Sequence, residues 1–372
     1  MKILVTGGAG FIGSHLVDAL VERGHDVVVY DSLEYQVHEG RVPDYLNPGA
    51  TLIVGDIRDR DKLKKVIVDE SIEIIFHEAS LVGVGQSMYE IERYVAANTW
   101  GTAVLLDILA TEKHKVKKII VASSMSIYGE GAYRCKNCGD VYPKMRKREQ
   151  MEKREWEMRC PVCGEVVEPI PTSEEKPLHP TSIYAISKRD QEEMVLVFGE
   201  AYGIPAVALR YFNVYGTRQA LSNPYTGVIA IFSSRLLNGK PPVIFEDGNQ
   251  SRDFIHVKDI VKANLLAMEK DEANGEVFNV GTGRRITIME VAETLIKELG
   301  MDIEPLIEGR FRAGDIRHCY ADISKIKEKL GFVPEVPLEK GIREILPWIR
   351  SSMPEDRFER AKKELEEKGL IV

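Results

Sequence analysis

The chain has 372 residues, 44% of them hydrophobic, and a formal net charge of -8 at pH 7. Such a length and apolar content suit one large α/β unit or two smaller domains around a sizeable core, and the acidic balance argues against a general nucleic-acid binder, which needs a basic face. The opening MKILVTGGAG has no long apolar run behind a basic start, and no stretch of about eighteen apolar residues occurs, so neither signal peptide nor membrane span is expected and a cytoplasmic protein is the default.

Residues 1–31 read as strand, glycine turn, helix, strand. The ILV run suits a strand buried on both faces. Leu16, Ala19 and Leu20 share one helical side, Gly24 ends that helix, and DVVVYD is the next strand. ATLIVGDI, DRDKLKKVIVDE, IEIIFHEAS, NTWGTAVLLDILATEK and VKKIIVASS continue as strand and helix in turn. This alternation predicts a doubly wound parallel sheet. The periodicity breaks over residues 130–180 and resumes with a helix from about Ser182 and a strand in AVALRYFNVYG. Beyond Pro347, Ser352 followed by Glu355 reads as a capping box, and FERAKKELEEKG as a charged helix ending at Gly369, either solvated or an oligomer contact.

Gly7, Gly10 and Gly13 follow the first strand and open a helix, an arrangement that lets backbone approach a pyrophosphate and offers it free N–H donors. Asp31, at the end of the second strand, would accept hydrogen bonds from both ribose hydroxyls and repel a 2′-phosphate, which favours NAD over NADP. Asp56, in GDIRD, is placed either to meet the adenine or to cap the next helix.

Tyr184 and Lys188, in YAISK, stack one helical turn apart. The ammonium and a positively charged nicotinamide would together pull the phenol from its usual pKa near ~10 toward neutrality, as a general base needs. Ser123 and Ser124 end a buried strand at the carboxyl edge, where open α/β sheets bind ligands.

The glycine turn, Asp31, SSMSIYG, YAISK, RYFNVYG and SRDFIHVKDI together resemble the extended short-chain dehydrogenase/reductase superfamily. Within it the likeness is to the NAD-dependent epimerase/dehydratase family, nucleoside-diphosphate-sugar epimerases of the UDP-glucose 4-epimerase type, over about residues 1–129 and 175–345. The resemblance implies that Tyr184 takes a proton from the hexose 4-hydroxyl while carbon 4 gives its hydride to NAD. The 4-keto sugar then swings over and takes the hydride back on its other face. Lys188 would hold the nicotinamide ribose, and Ser124 the same sugar oxygen as Tyr184. Further cofactor contacts are implied at Phe11, Ile12, Ile57, Ala79 and Asn98. Sibling 4,6-dehydratases carry an Asp–Glu pair after the serine or threonine, where this chain has Met125 and Ser126, neither an acid nor a base.

On the substrate side, Arg252 and Arg312 match the arginines that clamp a diphosphate, for which guanidinium forks are suited. Asn213 would meet the phosphate or sugar. Thr226, Gly227 and Val228 in YTGV, with Val243 and Phe245, resemble the segments that sandwich the base, although Phe245 fits ordinary core equally well. Cys319 aligns with the position that separates tight sugar pockets from roomy ones, and a cysteine there leaves space for an N-acetyl group or an unusual sugar.

Cys135, Cys138, Cys160 and Cys163 form two C-x-x-C-G knuckles, the ligand set of a closed structural zinc site, with four unconnected thiols or a redox pair as the other readings. They lie in an insertion, 130–175, rooted at Gly129 and Pro180 beside Ser124 and Tyr184, and expected to fold over the sugar pocket or against a second subunit. The basic KMRKREQMEKR between the knuckles has an RNA-binding reading, but its interleaved acids suit a solvated linker better.

The expected architecture is a Rossmann-type NAD domain over 1–212, carrying a zinc-ribbon-like loop at 130–175. A smaller α/β substrate domain over 213–350, with some segments returning to the first, and a charged helix over 351–372 complete it. The expected function is NAD-dependent inversion of carbon 4 in a UDP- or dTDP-hexose, dTDP-L-rhamnose among the candidates, by a homodimer with no nucleic-acid or membrane partner. A reductase, decarboxylase or dehydratase of the same superfamily, or a non-catalytic NAD sensor using the knuckles, stand as alternatives.

Overall fold

The structure is a computed structural model describing residues 1–372. Its spine is a seven-stranded sheet, all parallel, ordered 277–280, 206–211, 118–124, 74–77, 2–6, 26–31, 51–54. The order reverses between 2–6 and 74–77, which opens a crevice at the carboxyl ends of those strands.

Alternate strand residues enter two different cores. Ile3, Val5, Val27 and Val29 face the helices Phe11–Glu22 and Val257–Glu269. Leu4, Val28 and Tyr30 face Arg60–Asp69, Gly101–Thr111 and Ile183–Tyr202. Strands covered on both faces must be apolar at every position, which is why they appear in the sequence as continuous runs rather than alternating ones. Each buried Val or Ile contributes about 1.5–3 kcal/mol relative to leaving it exposed. A third core joins the helices Val228–Leu237, Ile288–Leu299 and Leu338–Ser351 beside the sheet's carboxyl edge.

The 130–175 insertion forms an antiparallel sheet of 139–141, 132–135 and 168–170, with a short helix Arg148–Glu152. It hangs on a narrow neck: Gly129 has φ +66°, and a Cβ there would stand 2.3 Å from the His179 carbonyl oxygen. The insertion lines neither principal cavity, so the expected fold over the sugar pocket is not what forms. It docks instead on residues 311–321, through Trp156 against Phe311, Tyr320 onto the Pro169 carbonyl, and a bridge between Thr172 and Ala321. Its basic segment is not simply solvated either, because Arg146 is buried in an ion pair with Glu246.

The tail also differs from expectation. The helix Leu338–Ser351 runs through Pro347, anchored by buried Ile345, Leu346 and Ile349. Ser352 ends that helix, donating to the Trp348 carbonyl at 2.6 Å, so no capping box forms. The helix Phe358–Glu367 is neither free in solvent nor spare surface, since its buried residues Phe358 and Leu365 pack with Val243 and Phe245. No helix is long and apolar enough to cross a membrane.

Candidate active site

Two cavities meet along the sheet's carboxyl edge. The larger, about 500 Å³, runs from the glycine turn to Tyr184 and Lys188; the smaller, about 280 Å³, continues from Met125 and Ser126 to the C-terminal helix. Asn213 and residues 225–228 line both, so they form one cleft.

The glycine turn builds the floor of the larger cavity. Gly7 has φ +70°, and a Cβ on it would lie 2.8 Å from the Ala79 nitrogen. On Gly13 a Cβ would lie 2.3 Å from the Gly7 carbonyl oxygen. Both neighbours are backbone and cannot yield, so the turn closes only without side chains, leaving the cradle that a dinucleotide pyrophosphate fits. Phe11, Ile12, Asp31, Asp56, Ile57 and Ala79 line the same space. Asp31 accepts from the backbone N–H of Ala9 at 3.0 Å and of Leu33 at 2.8 Å, which fixes the carboxylate at the end of its strand.

Of the two readings of Asp56, the cavity position forms and the helix cap does not, and Asn98 lies behind the cavity wall. Asp56 does not cap the following helix; Asp59 does, accepting from the Lys62 N–H. Asp56 instead forms a fork with Arg58, at 2.8 and 2.6 Å, which holds its carboxyl below the usual range. Asn98 does not reach the cavity: its amide clamps both backbone groups of Leu81, at 2.7 and 3.1 Å, and so shapes the loop that lines it.

At the reacting end, Ser124 closes the strand 118–124 and Tyr184 opens the helix Ile183–Tyr202, capped by Ser182. The Tyr184 N–H is held by Ser87 Oγ at 3.0 Å. Burial holds the phenol above its usual range, against a weaker lowering pull from the Ser124 hydroxyl. Both side chains line the larger cavity, where Ser124 Oγ accepts from Ser126 Oγ at 2.9 Å. Lys188, one turn on, donates to Gln191 at 2.8 Å. Burial pushes its ammonium down to about 8, against the pull of Glu78 and Glu192. Ser123, by contrast, donates to buried Glu192 at 2.6 Å and serves the core. Met125 and Ser126 line both cavities, with no carboxylate between them.

Asn213, Thr226, Gly227, Val228, Val243, Phe245, Arg252 and Arg312 all line the smaller cavity. The Arg312 guanidinium lies 5.0 Å over the Phe245 ring, a cation held at the cavity wall by its π-face. Cys319 is not in this wall. It is buried behind Met125, with Tyr128 and Phe212, its thiol 3.8 Å from Thr172 Oγ1. The gate reading of Cys319 therefore has no direct contact to work through, and an effect on the sugar would pass through its neighbours Met125, Phe212 or Ile316.

Sequence reasoning missed two contributors. Glu78, in FHEAS, lines the larger cavity, accepts from Tyr211 at 2.8 Å, and is pushed up to about 7 by burial. A carboxylate ending an otherwise apolar strand was the available signal. The C-terminal helix also supplies Phe358, Ala361 and Leu365 to the smaller cavity, and their spacing was the signal there.

The four cysteines converge, their sulfurs all within 4.8 Å of one another and none in a disulfide. Cys160 is held down to about 6, chiefly by the Cys163 backbone N–H and also by that of Val162. Four thiols converging at such spacing fit a tetrahedral zinc.

The comparisons agree with this geometry. A family model described as NAD dependent epimerase/dehydratase family matches residues 3–147 and 160–281, leaving out only the middle of the insertion within that span. A dTDP-L-rhamnose 4-epimerase of Burkholderia thailandensis is 36% identical over 353 residues, 95% of this chain and 96% of that protein. The crystal structure of a UDP-glucose 4-epimerase from Thermotoga maritima with UDP-glucose is 37% identical, with TM-score 0.77, covering 95% of this chain and 100% of that one. A UDP-glucuronic acid 4-epimerase from Bacillus cereus, in complex with UDP-glucuronic acid and NAD, is 29% identical with TM-score 0.75, covering 94% and 99%.

Proposed function

The chain belongs to the NAD dependent epimerase/dehydratase family, and on that premise we propose that it is an NAD-dependent nucleotide-sugar 4-epimerase acting on a UDP- or dTDP-hexose. The observation that carries the proposal is that Ser124, Tyr184 and Lys188 line one cavity with the glycine cradle, beside Met125 and Ser126 where a dehydratase needs an acid and a base. Gly7, Gly10, Gly13 and Asp31 would hold NAD, whose nicotinamide would supply a reversible hydride acceptor at carbon 4.

The chain's own residues manage the proton. Tyr184 takes it from the sugar 4-hydroxyl, Ser124 grips the same oxygen, and Tyr184 returns it at the end. Burial alone makes the phenol a poor acid. The positive charge of Lys188, one turn away, and of the bound cofactor must therefore supply the counter-shift. Arg252 and Arg312 face the cavity that would take the diphosphate, and Val243, Phe245 and the C-terminal helix offer apolar walls to the base. A dTDP-linked 6-deoxyhexose, the substrate class in the name of the Burkholderia relative, is the first candidate to test.

The converging sulfurs support a structural zinc on Cys135, Cys138, Cys160 and Cys163. Exposed Val95, Trp100, Ile186 and Val197, on the adjoining helices 95–111 and 183–202, support a homodimer through a four-helix contact.

The test is NMR of the products formed from a panel of UDP- and dTDP-hexoses. Carbon-4 epimers should appear with no net change in NADH absorbance, and Tyr184→Phe should lose roughly 10²–10⁴ in kcat while retaining NAD. Stoichiometric NADH consumption or release would assign the chain to a sibling reductase or decarboxylase.

A further inference from the structure

The insertion touches neither cavity, yet it grips the segment that walls the smaller one from behind. Residues 312–316 line that cavity, and Arg252 holds them from the cavity side, donating to the Ile316 carbonyl at 2.7 Å and the Arg317 carbonyl at 3.0 Å. The C-terminal residues Leu370 and Val372 and the Ser251 backbone pair with the segment's main chain, and the insertion and its neck add a third set of contacts. Glu130 accepts from the backbone N–H of Arg317 at 2.7 Å. Glu157 accepts from the fully buried Arg317 guanidinium at 2.5 and 3.2 Å and pairs with His318 at 3.2 Å. Arg146 forks onto Glu246 at 2.7 and 2.8 Å and also donates to the Asp315 carbonyl at 3.3 Å. Arg317 adds a fork onto Asp247, at 2.6 and 2.9 Å, tying the segment to the loop just after Phe245.

The insertion has little core of its own. Its main apolar cluster holds six residues, and two of them are Cys135 and Cys160. A module that small needs a metal or a staple to keep its shape. Met151 and Trp156 are buried against Phe311 rather than within the insertion. The insertion's contacts on residues 311–318, made by Glu130, Arg146, Trp156 and Glu157, are therefore tied to the four-thiolate site through this small core.

We propose that the metallated insertion is the positioning element for the nucleoside-diphosphate half of the cleft, with Arg317 the positioning residue and Glu157 its link to the four-cysteine site. It holds Arg312 and, through the Ile316 and Arg317 carbonyls, Arg252 in register with the substrate's phosphates, and leaves the proton chemistry at Ser124 and Tyr184 untouched. The inference rests on the nucleotide-sugar reading above.

The experiment measures the affinity of UDP and dTDP by calorimetry, together with KM and kcat for a nucleotide sugar and the content of bound NAD. It uses wild-type protein, wild type stripped by a chelator and then re-supplied with zinc, and Glu157→Gln. The Glu157 side chain is 43% exposed, so this variant should fold. Stripping should weaken nucleotide binding roughly tenfold, with zinc restoring it, and Glu157→Gln should weaken it to a similar degree. In both cases kcat should change less than about twofold and NAD should stay bound. In Glu157→Gln the further effect of stripping should shrink, because link and anchor act in one chain. Unchanged nucleotide affinity in Glu157→Gln, or a fall in kcat with affinity intact, overturns the proposal. A wild-type protein that binds neither UDP nor dTDP overturns the nucleotide-sugar reading, and this proposal with it.

Discussion

Glu246 is the carboxylate on which two buried guanidinium groups converge, and replacing it with glutamine is a sharp test of how the insertion is held. Arg146 and Glu246 are 1% and 3% exposed, and Arg317 is 0% exposed, 3.0 Å from the same carboxylate. Glu246→Gln keeps the size and removes the charge. Arg317 retains Glu157 and Asp247, but Arg146 loses its only carboxylate hydrogen-bond partner and keeps one glutamine oxygen with the Trp156 and Asp315 carbonyls, at 3.1 and 3.3 Å. Its Nε already has no partner. Stranding a buried charge in this way costs about 3–5 kcal/mol. The Glu246 backbone sits at φ +57°, in the left-handed region, and glutamine meets the same penalty there, so the difference reports charge alone. At about 2 °C per kcal/mol for a chain of this size, the Tm should fall on the order of 6–10 °C. The assay is scanning calorimetry with zinc in excess. The double variant Arg146→Met with Glu246→Gln should recover most of the loss, since no unpaired charge then remains near position 146. A single-variant drop under about 2 °C would refute the reasoning, because it would mean that water or movement satisfies Arg146 without its partner.

Three other outcomes follow from geometry already described. Gly13→Ala places a methyl 2.3 Å from a backbone oxygen, so the purified protein should lose its bound NAD, as read by chromatography of the released nucleotide; full retention would remove the glycine turn from the cofactor site. Glu78 is raised by burial to about 7. A carboxyl raised above its unfolded value contributes stability that is present below about pH 4.5 and lost as pH rises through 7. Relative to Glu78→Gln, whose amide oxygen still accepts from Tyr211, wild-type Tm should therefore decline between pH 5 and pH 8, and parallel curves would count against this. Trp100, 60% exposed, lies on the predicted dimer face, so Trp100→Glu should convert a dimer to monomer in light scattering without loss of Tm beyond the assembly's own contribution.

What was legible in the sequence followed from local chemistry. The all-apolar runs gave the parallel strands, because a strand covered on both faces has no solvent side. The glycine spacing, Asp31, and the one-turn interval from Tyr184 to Lys188 each depend on contacts within a few residues or on fixed helical geometry. What was not legible depends on distant partners. Arg317 and Glu157 are 160 residues apart, and nothing in RCPVCG says that the module will brace the segment around Arg317. The amphipathic spacing of Phe358, Ala361 and Leu365 was present, but its partners Val243 and Phe245 lie more than a hundred positions upstream. Cys319 and Asn98 were assigned by alignment to a motif, which fixes the position of a backbone and not the direction of a side chain. Asp56 and Asp59 compete for one helix start, and only Asp59 presents its oxygen to the Lys62 N–H.

The pinched neck at Gly129 and His179 has an evolutionary reading. Because the two roots of the inserted piece meet there, its length is invisible to the chain on either side. Residues beyond that seam can change in number without moving the two chain ends that lead to Ser124 and Tyr184, so long as the bonds from Thr172 and Glu174 to Asn279 are kept. A lineage can thereby retune how firmly it grips a nucleotide by swapping a cassette, while the chemistry it inherited stays as it was.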